Sequence, residues 1–421
     1  MSFQQGLSGL NASSKNLEVI GNNVANANTY GAKTSRAEFA DVYAASLNGA
    51  GANSIGIGVN LQAVAQQFTQ GTITTTDNPL DLAINGGGFF QVSDGKNPAL
   101  YTRNGQFKID RDGHIVNTKQ ERLMGYPADA QGIIQPGAAS PLQLPTAGIT
   151  PNASAKIKLE MNLDARQKTT LPAIGARIDF SDATTYNNAT SLTAFDAKGQ
   201  DVALTFYFQK AATDQWNVYV AANGTSLLVD GAGVPQPVTT IQFPPNGGTP
   251  IAPVAPVAIN IPASVNAVGA VTLPIPAVQL NLGGATQYGS QFGVTNLSQD
   301  GYTAGQLTSV NIESNGVLMA RYSNGQSKPA GQLEIANFRN PQGLQALGGN
   351  AWARTFSSGD PVVGVPGDGN LGVLQSGALE ESNVDLTGQL VDMITAQRIY
   401  QANAQTIKTQ DQVLQTLVNL R

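Results

Sequence analysis

Residues 386–421 read LTGQLVDMITAQRIYQANAQTIKTQDQVLQTLVNLR, and their apolar side chains recur at alternating steps of four and three residues. The same spacing is present at the other end of the chain, in residues 3–24. Such steps keep one apolar stripe on one side of a helix, and that stripe must be buried against another surface. We therefore predict a coiled-coil helix at each end. The predicted stripe consists of Phe3, Leu7, Leu10, Leu17, Val24, Leu386, Leu390, Met393, Tyr400, Ile407, Leu414 and Val418.

The sequence between the two ends predicts mainly β structure. Apolar residues recur at every second position in residues 202–208, which is the pattern of a half-buried strand. Pairs of Asn or Asp with Gly favour the tight turns of hairpins, and they occur on both sides of that segment. The predicted hairpin turns are Asp94-Gly95, Asn104-Gly105, Asp112-Gly113, Asn315-Gly316 and Asn324-Gly325. Because hairpin turns of the same kind occur before and after the intervening segment, the sequence indicates one β domain interrupted by another.

The predicted fold class is therefore mainly β with long α-helical termini, an extended arm and two β domains, the second inserted in the first. Residues 249–278 are rich in Pro, Ala and Val, and we predict a surface loop or a sheet edge there. The predicted parts are a terminal helical domain (1–24 and 380–421), an arm with an extended hairpin (25–70), a first β domain (71–147 and 290–365), an inserted outer β domain (148–289) and a connecting loop (366–379).

Composition excludes several classes of function. Only 12% of the 421 residues are charged and the net charge is -5, so nucleic acid is a poor candidate partner. The chain has no cysteine and one histidine, which argues against disulfides, metal sites and Ser-His-Asp catalysis. We expect no cofactor and no metal. The first residues do not form a secretory signal peptide, and no apolar run is long enough to insert into a membrane as a helix.

Two local features invite a catalytic or ligand-binding interpretation. Gly86, Gly87 and Gly88 resemble a phosphate-cradling loop, but no Gly-Lys-Ser/Thr and no helix follow them. We expect a bend or a close backbone approach there instead. His114 follows a hairpin turn without a matched nucleophile, so a surface or turn histidine is expected.

Paired charges are the remaining candidates for chemistry. The Glu380-Glu381 pair precedes a predicted helix, where acidic residues favour the helix dipole. Asp110 and Asp112 flank a turn. For Lys33 and Arg36 we expect solvated side chains or pairing with another subunit, in preference to an anion site. These interpretations together predict that the protein is not an enzyme.

Long strings of this sequence resemble the axial proteins of the bacterial flagellum, which form its rod and hook. They are VIGNNVANANTYGAK (19–33), DLAINGGGFFQV, YTRNGQFKIDRDGHIVN and the C-terminal sequence from Leu379. The family usually has Gly-Phe-Lys where this chain has Gly31, Ala32 and Lys33, so the packing role of that position is open. The positions that carry the N-terminal family motif are Asn22, Asn23, Ala25, Asn26, Thr29, Gly31 and Lys33.

The inserted segments EMNLDARQ and DQWNVYV resemble the hook branch of this family. The resemblance implies a structural subunit that self-assembles through its end helices into a hollow, bendable helical tube. Such a tube acts as a universal joint that transmits motor torque from the rod to the filament. The implied partners are many copies of the same chain, the distal rod protein, the hook cap and hook-filament junction proteins, and the flagellar export apparatus. The implied location is the extracellular flagellum, reached without a cleaved signal peptide.

Three alternatives remain open from the sequence. The first is a distal rod-type axial protein with an inserted domain. The second is a hairpin of helices within one chain, with no polymer. The third is a β-rich adhesin or sugar-binding module, for which Trp216 and Trp352 are the available tryptophans. Because a long helix with one apolar stripe is marginal alone in water, we also expect the ends to fold only on assembly.

Overall fold

The computed structural model of the chain describes residues 2–42, 56, 58–129, 131–170 and 178–419. It divides into two compact units. Unit 1 comprises residues 1–146, 309–321 and 327–421, and unit 2 comprises residues 147–308 and 322–326. The sequence placed the return to the first β domain near residue 290, whereas in the structure unit 1 resumes at Ser309.

The first part of unit 1 begins with a helix, continues into a hairpin arm and enters a β domain. Its elements are α1 (Ser2–Ala25), β1 (Ser35–Val42), β2 (Gly58–Gln66), β3 (Ile73–Thr75), β4 (Leu82–Asn85), β5 (Phe89–Ser93), β6 (Leu100–Thr102), β7 (Lys108–Ile109), β8 (Ile115–Val116), β9 (Arg122–Pro127) and β10 (Ser140–Pro141).

Unit 2 follows with strands only among its described residues. They are β11 (Lys156–Asp164), β12 (Asn188–Phe195), β13 (Asp201–Ala212), β14 (Gln215–Ala222), β15 (Thr225–Ser226), β16 (Thr239–Gln242), β17 (Val257–Ile261), β18 (Ile275–Asn281), β19 (Thr286–Tyr288) and β20 (Gly293–Gln299).

The chain then returns to unit 1 and ends in the long second helix. The elements are β21 (Leu307–Ile312), β22 (Val317–Tyr322), β23 (Ser327–Leu333), β24 (Ile335–Asn337), a short 3-10 helix (Pro341–Gly343), β25 (Gln345–Gly348), β26 (Ala351–Ala353), β27 (Val362–Gly364), β28 (Val373–Ser376), β29 (Ala378–Glu380) and α2 (Leu386–Asn419). Helices at both ends and β structure between them confirm the predicted fold class.

Unit 1 is built on one large sheet with an aromatic core. Its strand order is β21-β22-β23-β9-β5-β6-β26-β25. Phe89, Phe338 and Trp352 are buried on it, and their rings pack edge to face at 5.7–6.0 Å between centroids. Phe68, which follows the arm, packs its ring edge-on against Trp352 at 5.4 Å. The arm is thereby attached to the β domain at its base.

The arm is an antiparallel hairpin of β1 and β2. Its ladder runs from Ser35 opposite Gln66 to Val42 opposite Gly58. The tip of the predicted extended hairpin lies outside the described residues.

Unit 2 consists of two sheets with a shared apolar core. One sheet has the order β17-β18-β11-β19 with β20 also on β11, and the other has β12-β13-β14-β15 with β16 also on β14. The alternation predicted on β13 is confirmed, because Val202, Leu204, Phe206 and Phe208 are fully buried. They meet the inward side chains of β11 and β18 in one cluster.

Three local predictions are corrected by the structure. Residues 249–278 do not form only a loop or edge, because β18 lies between β17 and β11. Pro276 is accommodated at an irregularity in the β17–β18 register, where no ladder donor is needed. The predicted loop 366–379 contains β28 and the start of β29, which pair with β4 and β3.

The Asn104-Gly105 pair does not connect a hairpin either. The strand before it, β6, pairs with β5 and β26, and the strand after it, β7, pairs with β8. A Cβ on Gly105 would lie 1.6 Å from the carbonyl oxygen of Leu82, so the glycine permits a close backbone approach.

Candidate functional site

The terminal helices pack against each other in antiparallel orientation. A Cβ on Gly6, near the start of α1, would lie 3.1 Å from Ile407 near the end of α2. At the opposite ends, the Asn23 amide nitrogen donates a hydrogen bond to Gln389 Oε1 at 2.9 Å. The missing side chain of Gly6 therefore lets α2 approach α1 closely at one end, and a polar pair joins the helices at the other.

The arm covers a second side of α1. Ser8 Oγ donates to the Val59 carbonyl at 2.6 Å and accepts from the Val59 N–H at 2.8 Å. Gln5 Nε2 donates to the Gly56 carbonyl at 2.8 Å. In this structure α1 is covered by both α2 and the arm, and both helices form within one chain. The expectation that the ends fold only on assembly stays a prediction.

The predicted stripe is divided between half-buried and exposed positions. Ile407 contacts α1, and Met393 is half-buried. By contrast, Leu386 and Leu390 are each 45% exposed and Leu414 is 50% exposed. On α1, Leu10, Leu17 and Val24 are half-buried, whereas Phe3 and Leu7 at its start are exposed. On α2, Tyr400 is also exposed, and the side chain of Val418 lies outside the described residues.

The sequence missed a second set of exposed apolar side chains on α2. Val391, Ile394, Ile399 and Val413 are each at least half exposed. They do not follow the steps of four and three from Leu386, so the periodicity placed them off the stripe. One chain thus leaves two sets of apolar side chains on α2 about half exposed to water.

The N-terminal motif lies where α1, the arm and the start of α2 meet. Asn23 is buried; its side chain accepts from the Ser35 N–H at 2.9 Å and donates to the Ser35 carbonyl at 2.8 Å. Asn26 Nδ2 donates to the Asn22 carbonyl at 2.9 Å, just beyond Ala25, the last residue of α1. The Thr29 carbonyl accepts from Ala32 in the following turn.

Gly31 has a backbone conformation that the turn requires. Its φ is +69°, and its N–H donates to the Glu380 carbonyl at 2.8 Å. A Cβ there would lie 2.6 Å from the backbone of both Arg103 and Asn104. Glycine is needed on both counts.

Lys33, Arg103 and Glu380 form a buried charge cluster beside this turn. Lys33 Nζ donates to Glu380 Oε1 at 2.6 Å, and Arg103 NH1 donates to Glu380 Oε2 at 3.0 Å. The side chains of Lys33 and Glu380 are 0% exposed. The predictions of a solvated or inter-subunit Lys33 and of a dipole role for Glu380 are therefore wrong. Glu380 belongs to β29, which ends before the helix begins, and its partners come from the same unit.

Backbone groups add further hydrogen bonds to the cluster. The Gly71 N–H donates to Glu380 Oε1 at 3.0 Å, Lys33 Nζ also donates to the Thr69 carbonyl at 2.7 Å, and Arg103 NH2 donates to the Gly86 carbonyl at 2.8 Å. Burial lowers the pKa of Lys33, and the Glu380 carboxylate opposes that change.

The other residues that the sequence offered as catalytic or ligand-binding candidates make contacts within turns and between backbone segments. Gly86 has a φ of +113°, and a Cβ there would lie 3.0 Å from Gly372 Cα, which agrees with the predicted close approach. Asp110 Oδ1 accepts the N–H groups of Asp112 and His114 and so organises their turn. Among the described residues no group of His, Asp and Glu is placed to hold a metal.

Ala32 lines a cleft of about 210 Å³ together with Asn23, Lys33 and Trp352. At this position the sequence resemblance implied an aromatic residue.

Comparison with known proteins places this sequence in a family. The protein with the name Flagellar hook protein FlgE from Escherichia coli (strain K12) is 40% identical over 426 residues, which span 100% of both chains. The chain belongs to the flagellar hook protein family. A protein of the same name from Salmonella typhimurium is 38% identical over all of both chains, and one from Borreliella burgdorferi is 33% identical over 100% of this chain and 99% of its own.

Family models match successive parts of the chain. They are described as Flagella basal body rod protein (residues 3–33), Flagellar hook protein FlgE/F/G D1 domain (83–162), Flagellar basal body protein FlaE D2 domain (162–302) and Flagellar basal body rod FlgEFG protein C-terminal (375–420). The N-terminal match includes the motif through Lys33, and the C-terminal match includes Glu380.

A solved structure, the Helicobacter pylori flagellar hook protein FlgE2, is 14% identical, with a TM-score of 0.49 over 73% of this chain and all of that one. The family assignment rests on the sequence relatives. In the part of the chain that the structure describes, neither helix is long and apolar enough to cross a membrane.

Proposed function

We propose that this chain is a structural subunit of the bacterial flagellar hook, which assembles with copies of itself into a hollow, bendable helical tube. The observation that carries the proposal is the apolar surface that α2 keeps exposed in a single chain. Leu390 and Leu414 are each about half exposed (45% and 50%) on a helix whose other side already contacts α1. Helices of neighbouring copies would supply the missing cover.

Copies that meet through such surfaces can add to a growing polymer at its end. A contact between different surface patches produces an open helical array unless its rotation closes a ring. Because each leucine is already about half buried, its complete burial contributes about 0.8–1.5 kcal/mol, half of the value for a fully exposed side chain, and many subunits repeat the contact. The surface of few charges suits sliding between neighbours, because little charge must be desolvated when the tube bends.

The tube would act as a universal joint that passes motor torque from the rod to the filament. Its neighbours would be the distal rod protein, the hook cap and the hook-filament junction proteins. The chain would reach the flagellum unfolded through the flagellar export apparatus, without a cleaved signal peptide. The absence of cysteine in the sequence agrees with a chain that must be threaded through a channel. We propose no catalytic role.

The interface is tested by single charges on α2. Leu390→Asp and Leu414→Asp should each abolish tube formation, because a carboxylate would be buried against apolar neighbours. Gln405→Asp adds the same charge at an exposed polar position of the same helix and serves as the matched control. Assembly is followed by sedimentation and electron microscopy, and folding by circular dichroism.

Two results would count against the proposal. Normal tubes from both leucine variants would show that this surface does not mediate assembly. Straight, rigid polymers from the wild-type chain would favour the rod alternative over the hook.

A further inference from the structure

The buried charge cluster joins segments that are remote in sequence. Glu380 precedes α2, Lys33 follows α1, and Arg103 follows β6 of the large sheet. The Glu380 carboxylate is 347 residues from Lys33 and 277 residues from Arg103 along the chain. The one anion therefore holds the connections to both terminal helices and the β-sheet of unit 1 at a single point.

The surroundings of the cluster are tightly packed. Gly31 and Gly71 each bring backbone close to residues 380–382: the Gly31 N–H donates to the Glu380 carbonyl, and a Cβ on Gly71 would lie 2.0 Å from the Glu381 carbonyl oxygen. In the same segment, the Asn383 side chain accepts from the Thr34 N–H at 2.7 Å and donates to the Gln67 carbonyl at 2.8 Å. Both sides of the arm base are thus tied to the segment that enters α2.

Charges buried in this way are strongly coupled. An uncompensated buried cation is costly, whereas a complete pair with satisfied hydrogen bonds is tolerated. Removal of Glu380 would leave two cations, Lys33 and Arg103, without their shared partner. Partial opening of the cluster is therefore costly, because it separates a buried charge from its partner before water can solvate that charge.

We propose that Lys33, Arg103 and Glu380 form the joint through which force passes between the terminal helices and the β-sheet of unit 1. This inference rests on the proposed function, since force enters only when the chain is part of a tube. Within a tube, the helices of each subunit are held by neighbouring helices, and the sheet is pulled or pushed as the tube turns and bends. The cluster is where these two parts of one subunit are fixed to each other by buried charge.

The central test is Glu380→Gln, which keeps the shape and removes the charge. Amide exchange at Gly31 and Gly71 should become about 100-fold faster, because both N–H groups are bonded to Glu380 and the buried cations favour opening. Tubes should still form, because the exposed stripe is unchanged, but their bending stiffness, read from contour fluctuations in electron micrographs, should fall. Lys33→Met added to Glu380→Gln should recover part of the protection, since it removes one unpaired cation, without restoring the wild-type stiffness.

Glu38→Gln is the matched control, because Arg36 and Glu38 form an exposed ion pair in the same arm. It should change neither exchange nor stiffness. If Glu380→Gln fails to fold, Glu380→Asp keeps the charge and displaces it by one methylene, and the same two readouts apply. Wild-type exchange and wild-type stiffness in the Glu380 variant would overturn the inference. Failure of the wild-type chain to form tubes would instead overturn the proposed function, while the exchange data would still report on the cluster.

Discussion

Replacement of Gly31 by alanine tests whether the junction depends on a backbone that only glycine allows. A φ of +69° costs an L-residue about 1–2 kcal/mol. The added Cβ would also lie 2.6 Å from the backbone of Arg103 and Asn104, which cannot rotate away as a side chain would. A forced shift of that kind adds about 1–3 kcal/mol. We therefore expect Gly31→Ala to lower the free energy of unfolding of unit 1 by about 3 kcal/mol.

Two other glycines separate these contributions. Gly95 has a φ of +76°, and a Cβ added there would have no neighbour within 4 Å, so Gly95→Ala should cost about 1 kcal/mol from strain alone. Gly21 lies inside α1, where an added Cβ also has no neighbour within 4 Å. Gly21→Ala should stabilise the chain by about 1 kcal/mol, because alanine is the better helix former.

The chain offers a convenient assay, since one tryptophan lies in each unit. In a Trp216→Phe background, the fluorescence of Trp352 reports the urea unfolding of unit 1 alone. The midpoint should be lowest for Gly31→Ala, intermediate for Gly95→Ala and highest for Gly21→Ala. Equal midpoints for Gly31→Ala and Gly95→Ala would refute the argument, because the backbone contact would then contribute nothing.

Further outcomes follow from other contacts. Ser8→Ala removes both bonds to Val59 and should weaken local protection of the Val59 amide by about 1–2 kcal/mol, measured by hydrogen exchange. Burial raises the pKa of Glu334, and the Tyr126 hydroxyl opposes the rise. The folded chain thus binds this proton more tightly than the unfolded chain, so stability falls as pH rises from the ordinary carboxyl value through the raised one. Glu334→Gln should abolish that fall, and an unchanged difference between variant and wild type across a pH series of urea titrations would contradict it. Ala32→Phe should fill the cleft and raise the free energy of unfolding by about 1 kcal/mol, whereas a lower value would show that the ring is not accommodated.

Local patterns were sufficient for most of the secondary structure. The terminal helices follow from apolar spacing, and the hairpin turns at Asp94-Gly95 and Asp112-Gly113 follow from the backbone freedom of glycine. The failure at Asn104-Gly105 has a physical reason. The glycine there serves a contact with Leu82, and a dipeptide pattern contains no information about a distant backbone.

The charged residues show the same limit more clearly. Glu380 stands next to Glu381 and near a helix, so sequence proximity favoured a dipole interpretation. Its partners, Lys33 and Arg103, are hundreds of residues away. Lys33 and Arg103 both lie in segments that resemble the axial protein family. The resemblance marked these two segments but did not indicate that they meet in space.

By itself the sequence determined the helical ends, the β-rich body with its insertion, and the family. These depend on periodicity, on turn chemistry and on long ordered strings, all of which are readable along one dimension. Only the tertiary structure decided which side of α2 is covered by α1, which leucines stay exposed, and that a single buried carboxylate joins both chain ends to the sheet. Those features depend on which surfaces meet in space, because burial and charge compensation belong to pairs of residues and not to either residue alone.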